Sequence, residues 1–420
     1  MTGTAALTPA SAIPRRPGID GALPFLQDSY RFVSRTADRL GTDAFSTTLL
    51  GAPVVCLRGA EAAALFAGAG SGASSSPPAL TDVESVPASV GRLILRRLRL
   101  GRAALPDPAA DLSDLLIGSA EDRLAGIARE EFADTVLQWR GEELVTLRDE
   151  LPALLGRTAL RWAGVPSDRW QIVERADEMR SLMRPATLVR REPRGVLASR
   201  RGVDGWAREI VSDARSARFR VVPASPLAAI ADAGDPDSAA AERLLALIRP
   251  ILAVSVFIEF AFLGLAGSPQ LRTAFRHGDH SELDGFVTEV RRRTPFLPAV
   301  IGRAAADLPW RGATIPAGRN VVLDVFGTNH DPRLWPDPLL LDPARYREGR
   351  GDASAIVAQG ADAFGAGAAS LGESATQGIV AAAIRGLSGT RWSAVGSQDR
   401  RVRYSQVPAR VASGLVLNFR

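Results

Sequence analysis

The sequence predicts a mainly α-helical protein with a small β region, folded as a single domain. Apolar residues recur at helical spacing over most of the chain, whereas apolar alternation is confined to two short stretches. The chain is 46% hydrophobic and 23% charged, which is ordinary for a soluble globular protein. At 420 residues it is long for one core, but a large helical domain of this size is possible. We therefore assign residues 1–20, rich in Pro, Ala and Thr, to a flexible arm and residues 21–420 to one domain.

The longest and most apolar predicted helix covers about residues 238–266. Its apolar residues follow the i, i+3, i+4, i+7, i+8 spacing of a buried stripe: Leu244, Leu247, Ile248, Ile251 and Leu252. Further helices are predicted over 59–66, 119–139, 143–164, 168–184, 203–218 and 281–293. Strands are predicted in a hairpin over 43–57 that turns at 51–53, and over 313–324, with a long coil from there to about residue 370.

Two residue types exclude several functional classes. Cys56 is the only cysteine, so the chain forms no intrachain disulfide and has no cysteine-cluster metal site. No lysine occurs, and all 51 basic residues are arginine, which excludes a P-loop lysine and a Schiff-base lysine. The apolar run 251–265 is interrupted by Glu259 and is shorter than the ~18–20 residues that span a bilayer. Residues 1–17 lack the apolar segment of a secretory signal, so we expect a cytoplasmic protein without a membrane partner.

The net charge of +5 includes two arginine-rich runs, at 92–102 and 190–201. Aromatic residues are not interleaved with these arginines, which argues against a nucleic-acid partner. Solvated faces are the simpler interpretation. The alternative is that the first run docks an acidic carrier protein or a partner enzyme.

Four stretches resemble the cytochrome P-450 superfamily, and in particular its bacterial fatty-acid peroxygenase branch. They are 50–63, 249–255, 289–296 and 323–346, and the last two are the most specific. The resemblance extends from about residue 28 to the end of the chain. It implies a cytochrome P-450-like fold.

Within the third stretch, Glu289 and Arg292 are three residues apart, so they share one helix face and can pair. In the family this pair is joined by an arginine from the following coil, which the resemblance matches to Arg345. An arginine fork satisfies a carboxylate in a dry setting better than a lysine does. We expect Glu289, Arg292 and Arg345 to form a structural clamp.

Arg249 and Pro250 are the candidate substrate-binding residues. A proline inside a helix removes an amide donor and bends the helix, and an arginine beside such a bend is costly unless an anion meets it. In the peroxygenases the matching arginine binds the fatty-acid carboxylate. The resemblance therefore implies an apolar, carboxylate-bearing ligand at Arg249, Pro250 and Ala253, with Arg249 the catalytic candidate. The alternative is an internal ion pair with an acid such as Glu259.

The stretch 364–372 resembles the haem-binding loop of the family, but Ser370 stands where the ligating cysteine is expected. A neutral hydroxyl is a poor iron ligand beside a thiolate. The region 79–116 also lacks the family's paired histidine and arginine that hold the haem propionates. We therefore expect no cofactor, with haem unlikely, and no metal site.

Three functions remain open. The first is a haem-independent enzyme of natural-product biosynthesis that uses Arg249 in a non-oxidative cyclisation, isomerisation or elimination, as a lyase, isomerase or cyclase. The second is a non-catalytic partner that activates another biosynthetic enzyme, such as a glycosyltransferase in an antibiotic pathway. The third is a haem-dependent fatty-acid peroxygenase or monooxygenase with an unusual ligand.

Overall fold

A computed structural model describes residues 13–70, 79–85, 119–166, 194–352, 355–357 and 373–419. These residues form a helix-rich fold with small sheets, which confirms the predicted fold class. The first helices are α1 (Ala22–Gln27), α2 (Phe32–Leu40), α3 (Ala60–Gly70), α4 (Ser119–Trp139), α5 (Leu147–Ala163), α6 (Arg194–Arg215) and α7 (Pro226–Asp232). The later helices are α8 (Asp237–Ala253), α9 (Ser255–Ala266), α10 (Pro269–Arg276), α11 (Leu283–Arg293), α12 (Val325–Asn329), α13 (Ala344–Arg347) and α14 (Glu373–Ser388).

The largest described sheet has five strands in the order β1-β2-β8-β5-β3. Its strands are β1 (Ala44–Leu49), β2 (Ala52–Leu57), β3 (Leu80–Ser85), β5 (Ala299–Ala304) and β8 (Asn320–Asp324). Strands β2 and β8 run parallel, and the other pairings are antiparallel. The smaller sheets pair β6 (Leu308–Trp310) with β7 (Ala313–Ile315), β10 (Val402–Arg403) with β11 (Arg410–Val411), and β12 (Val416–Phe419) with both β4 (Val145–Thr146) and β9 (Trp392–Ala394).

The long apolar segment is divided into α8 and α9 at Val254, four residues after Pro250. Pro250 is buried inside α8, where it offers no amide hydrogen to the preceding turn. The segment Asp237–Ala266 is apolar enough by composition to cross a membrane, but 89% of its apolar window is buried inside the protein. It is a core helix pair, packed against α5, α6, α11 and α14.

Most of the predicted elements are confirmed, including the hairpin over 43–57 and the helices near 119–139 and 281–293. The predicted helix over 168–184 lies outside the described residues. The coil predicted after residue 324 contains α12 and α13, so that prediction was wrong there. Helix α12 begins because the Asp324 carboxylate accepts a hydrogen bond from the Gly327 amide at 2.7 Å, a local cap.

The arm predicted over 1–20 is described only from Ile13 onward. There the chain follows β1: Arg15 forms a parallel bridge with Ser46, and the Arg16 amide donates to the Ser46 carbonyl at 2.9 Å. These contacts attach residues 13–20 to the edge of the five-stranded sheet.

Candidate functional site

The predicted clamp residues lie together at the end of α11. Arg292 binds Glu289 through two hydrogen bonds, at 2.7 Å from Nη2 and 2.9 Å from Nε, and Arg345 Nε donates to the same carboxylate at 3.2 Å. All three side chains are fully buried. Arg292 also donates to the carbonyls of Asn329 and Pro338, and Arg345 donates to that of Pro336. The charges are therefore satisfied internally and hold the coil against α11.

Two aromatic residues complete the clamp, and the sequence analysis did not identify them. The Tyr346 hydroxyl donates to Glu289 Oε2 at 2.9 Å, and burial, together with the negative charge of Glu289, raises its pKa. The Trp335 ring lies 5.2 Å from the Arg292 guanidinium carbon, a cation-π distance. The position of Tyr346 directly after Arg345 was the available signal for its role.

Asn329 ties α12 to the chain that enters the stretch 364–372. Its side-chain amide donates to the Val357 carbonyl at 2.9 Å, and its carbonyl accepts from the Val357 amide at 2.9 Å. Because Arg292 binds the Asn329 backbone, the clamp and residue 357 are connected through one residue. Ser370, predicted at the ligand position, lies outside the described residues.

Arg249 lies on α8, one residue before Pro250, with a half-exposed side chain. Its Nη2 atom is 3.8 Å from the Asp204 carboxylate on α6, which is longer than a hydrogen bond. The half-exposed side chain avoids most of the burial cost that the sequence analysis expected. Ala253, one helical turn further on, is partly exposed, whereas Pro250 is buried.

Glu259, the acid offered as an example for an internal ion pair, does not pair with Arg249, and the carboxylate near Arg249 is that of Asp204. Glu259 instead accepts from Arg148 at 3.2 Å and from the Leu415 amide at 3.1 Å. Burial raises its pKa, and burial lowers the pKa of nearby Arg410. This cluster joins α5, α9 and the C-terminal strands.

A family model described as Cytochrome P450 matches residues 282–370. Among solved structures, a variant of cytochrome P450SP alpha (CYP152B1) is 30% identical over 96% of this chain and 98% of its own, with a TM-score of 0.78. The chain belongs to the cytochrome P450 family. A cytochrome P450 OleT variant in complex with arachidonic acid is 25% identical over 98% of this chain and 99% of its own, with a TM-score of 0.81. Cytochrome P450EX alpha (CYP152N1) with myristic acid is 27% identical over 97% of this chain and 98% of its own, with a TM-score of 0.78.

Curated relatives of this P450 match only a short stretch. Cytochrome P450 monooxygenase acuD of Aspergillus aculeatus is 40% identical over 63 residues, which are 15% of this chain and 12% of that protein. Human cytochrome P450 4X1 is 30% identical over 90 residues, 21% of this chain and 18% of that protein. The matches therefore span less than a fifth of the curated relatives' own length.

These comparisons correct the cofactor expectation. The family and its CYP152 neighbours point to haem, so the expectation of no cofactor was wrong. That expectation gave two local departures, at Ser370 and in the region 79–116, more weight than the similarity of the whole chain. The resemblance to the fatty-acid peroxygenase branch is confirmed.

The donor set of this P450 does not fit a thiolate-ligated haem. Its single thiol, Cys56, is 1% exposed in the middle of β2, between Phe45 of β1 and Val322 of β8. Burial raises the pKa of Cys56, which keeps it a neutral thiol. A haem held by this chain would therefore need a donor other than a thiolate.

The remaining predicted contacts lie outside the described residues. These are the arginine-rich run 92–102 and most of the region 79–116. Of the second run, 190–193 are not described, and only the backbone of the rest is described up to residue 200. A docking surface for an acidic carrier or partner enzyme has no support from the comparisons.

Proposed function

We propose that this chain is a haem-dependent P450 that oxidises an apolar carboxylic acid, as a fatty-acid peroxygenase or monooxygenase with a ligand other than cysteine. The observation that carries the proposal is its similarity, over nearly its full length, to P450s solved with bound fatty acids. Another CYP152B1 structure, 29% identical, holds (R)-ibuprofen, also an apolar carboxylic acid. Haem would supply the oxidative chemistry when bound.

In this proposal Arg249 binds the substrate carboxylate. Its guanidinium is half exposed and lies 3.8 Å from the Asp204 carboxylate, so a ligand carboxylate that arrives from solvent can reach it. A hydrogen bond to a charged group contributes about 1.5–3 kcal/mol, more than a half-exposed ion pair. Ala253 follows one turn later on the same helix, and its small side chain leaves room for the apolar part of the ligand.

Pro250 has a positioning role in this proposal. It is buried, and it precedes the division between α8 and α9 by four residues. A proline at this place fixes where the helix bends, and with it the direction of the neighbouring Arg249.

The non-oxidative cyclisation, isomerisation or elimination is not retained, because the comparisons support only P450 relatives. The auxiliary-partner hypothesis likewise has no observation in its favour. A place in natural-product biosynthesis and a cytoplasmic location stay predictions.

The test is the absorption spectrum and iron content of protein produced with an ample haem supply. We expect one haem per chain and a reduced carbonyl complex without the thiolate signature. Ser370→Cys should convert that spectrum to the thiolate type if residue 370 is at the ligand position. Ser374→Cys, an exposed serine in the first turn of α14, is the matched control and should leave the spectrum unchanged. Failure of both wild type and Ser370→Cys to retain haem would contradict the proposal.

A further inference from the structure

A cavity lies at the C-terminal end of the long helix pair, where α9 meets α11 and the coil after α12. It has a volume of about 330 Å³, within the range of about 300–1,000 Å³ typical of small-molecule sites. Its apolar wall includes Phe260, Leu263 and Leu341. Leu339 also lines it, with 74% of its surface exposed, which places an apolar side chain at the opening.

The cavity is separate from Arg249. Phe260 follows Arg249 by 11 positions along α8 and α9, which corresponds to about 16 Å at a helical rise of about 1.5 Å per residue. None of the residues that line the cavity belongs to α8. A ligand bound here would therefore not contact the proposed substrate carboxylate site.

Among the described residues that line the cavity, only Arg293 carries a formal charge. It is the third of three consecutive arginines on α11, and its two neighbours have carboxylate partners. Arg291 donates to Glu373 at 2.8 Å, and Arg292 binds Glu289. Within the described part of the chain Arg293 has no ion pair, and its buried Nε has no hydrogen-bond partner.

The surroundings of Arg293 favour an anion. Burial lowers the pKa of Arg293, and so do the positive charges of Arg292 and Arg345. The negative charge of Glu289 raises it, but not enough to cancel the lowering. The other titratable lining groups carry no charge at neutral pH. Burial lowers the pKa of His330 to about 4, and its Nδ1 donates to the Phe326 carbonyl at 2.8 Å. Burial raises the pKa of Tyr404, which keeps its hydroxyl protonated.

We propose that this cavity binds a small apolar monocarboxylate, with the carboxylate on Arg293 and the hydrocarbon part against Phe260, Leu263 and Leu341. A half-buried guanidinium with an unmatched donor is costly, and a carboxylate offsets that cost through charge-assisted hydrogen bonds. The apolar wall gains free energy when hydrocarbon replaces water. The ligand class follows from one positive charge beside an apolar surface, since none of the lining residues that the structure describes is acidic.

The test uses octanoate, titrated by calorimetry into the full-length Arg249→Gln protein, which removes the other proposed carboxylate site. We expect saturable binding of one octanoate. Adding Arg293→Gln should weaken that binding at least ten-fold, and octanamide, which lacks the charge, should bind at least ten-fold more weakly than octanoate. Adding Ser268→Phe, which fills the cavity without altering its charge, should also weaken binding.

The matched control is Arg385→Gln, an exposed arginine on α14, which should leave octanoate binding unchanged. Each variant is first compared with its parent by thermal unfolding, so that lost binding is not confused with lost folding. Octanoate affinity that is unchanged by Arg293→Gln would overturn the proposal. Absence of octanoate binding in the Arg249→Gln protein would overturn it as well. Neither outcome depends on haem content. Haem content is the separate measurement that tests the proposed function.

Discussion

Two buried or half-buried arginine sites on the core helices differ in how their charges are satisfied. At the end of α11, Arg292 and Arg345 share Glu289, and all three side chains are fully enclosed. On α8, Arg249 is half exposed and 3.8 Å from Asp204. The first arrangement is enclosed and holds the coil against α11, whereas the second is open to solvent, where a ligand can reach the guanidinium. The same residue type therefore has a structural role at one end of the core and a proposed binding role at the other.

The largest effect is expected from Glu289→Gln. The substitution leaves Arg292 and Arg345 buried without a negative partner, which costs about 3–5 kcal/mol in the free energy of unfolding. Urea titration of wild type and Glu289→Gln measures this loss in the free energy of unfolding. Arg249→Gln, which removes a half-exposed pair worth about 0–1 kcal/mol, is the matched comparison. Equal losses in the free energy of unfolding for the two variants would contradict the different roles assigned to the two sites.

Asp324, which caps the helix that carries Asn329, gives a pH-dependent prediction. Burial raises its pKa from 3.8 to about 6, so its contribution to stability is present below pH 3.8 and is lost as the pH rises through 6. Raising the pKa of Asp324 from 3.8 to about 6 corresponds to about 3 kcal/mol in the free energy of unfolding. The stability of wild type relative to Asp324→Asn should fall by about that amount between pH 4 and pH 7. A difference that stays constant with pH would contradict the assignment.

His330 should show the opposite pH dependence. Burial lowers its pKa from 6.5 to about 4, so its contribution is present above pH 6.5 and is lost as the pH falls through 4. Relative to His330→Gln, wild type should gain about 3 kcal/mol between pH 4 and pH 7. Urea titrations between pH 4 and pH 7 measure the difference in the free energy of unfolding between wild type and His330→Gln. A difference that falls as the pH rises, as expected for Asp324, would show that the imidazole ring is charged in the folded state.

A smaller effect is expected from Asn329→Ala, which removes both hydrogen bonds to the Val357 backbone. We expect a loss of about 1–3 kcal/mol, from two hydrogen bonds of about 0.5–1.5 kcal/mol each. The haem content of the variant should fall more than that of Thr288→Ala, a buried α11 threonine whose hydroxyl donates to the Asp284 carbonyl. Equal haem retention would show that residue 357 does not position the chain that follows it.

Sequence reasoning predicted the helical class, the early hairpin and the pairing of Glu289 with Arg292, because each depends on residues close together in the chain. It missed Tyr346 on Glu289 and the tie between Asn329 and Val357, because both require long-range packing. Sequence reasoning offered Glu259 as an example of an internal partner for Arg249 and did not identify Asp204, because Asp204 lies on α6, a helix whose position the sequence does not reveal. The absence of haem was inferred wrongly from Ser370 and from the missing histidine and arginine of the region 79–116, since these two local departures were weighed above the similarity of the whole chain.

The most direct test of the distinction between the two arginine sites is a myristate titration of wild type, Arg249→Gln and Arg293→Gln. If Arg249 binds the substrate carboxylate, Arg249→Gln should weaken myristate binding at least ten-fold. Arg293→Gln should leave the affinity of myristate for the Arg249 site unchanged. Myristate affinity that is the same in wild type and Arg249→Gln would contradict the account.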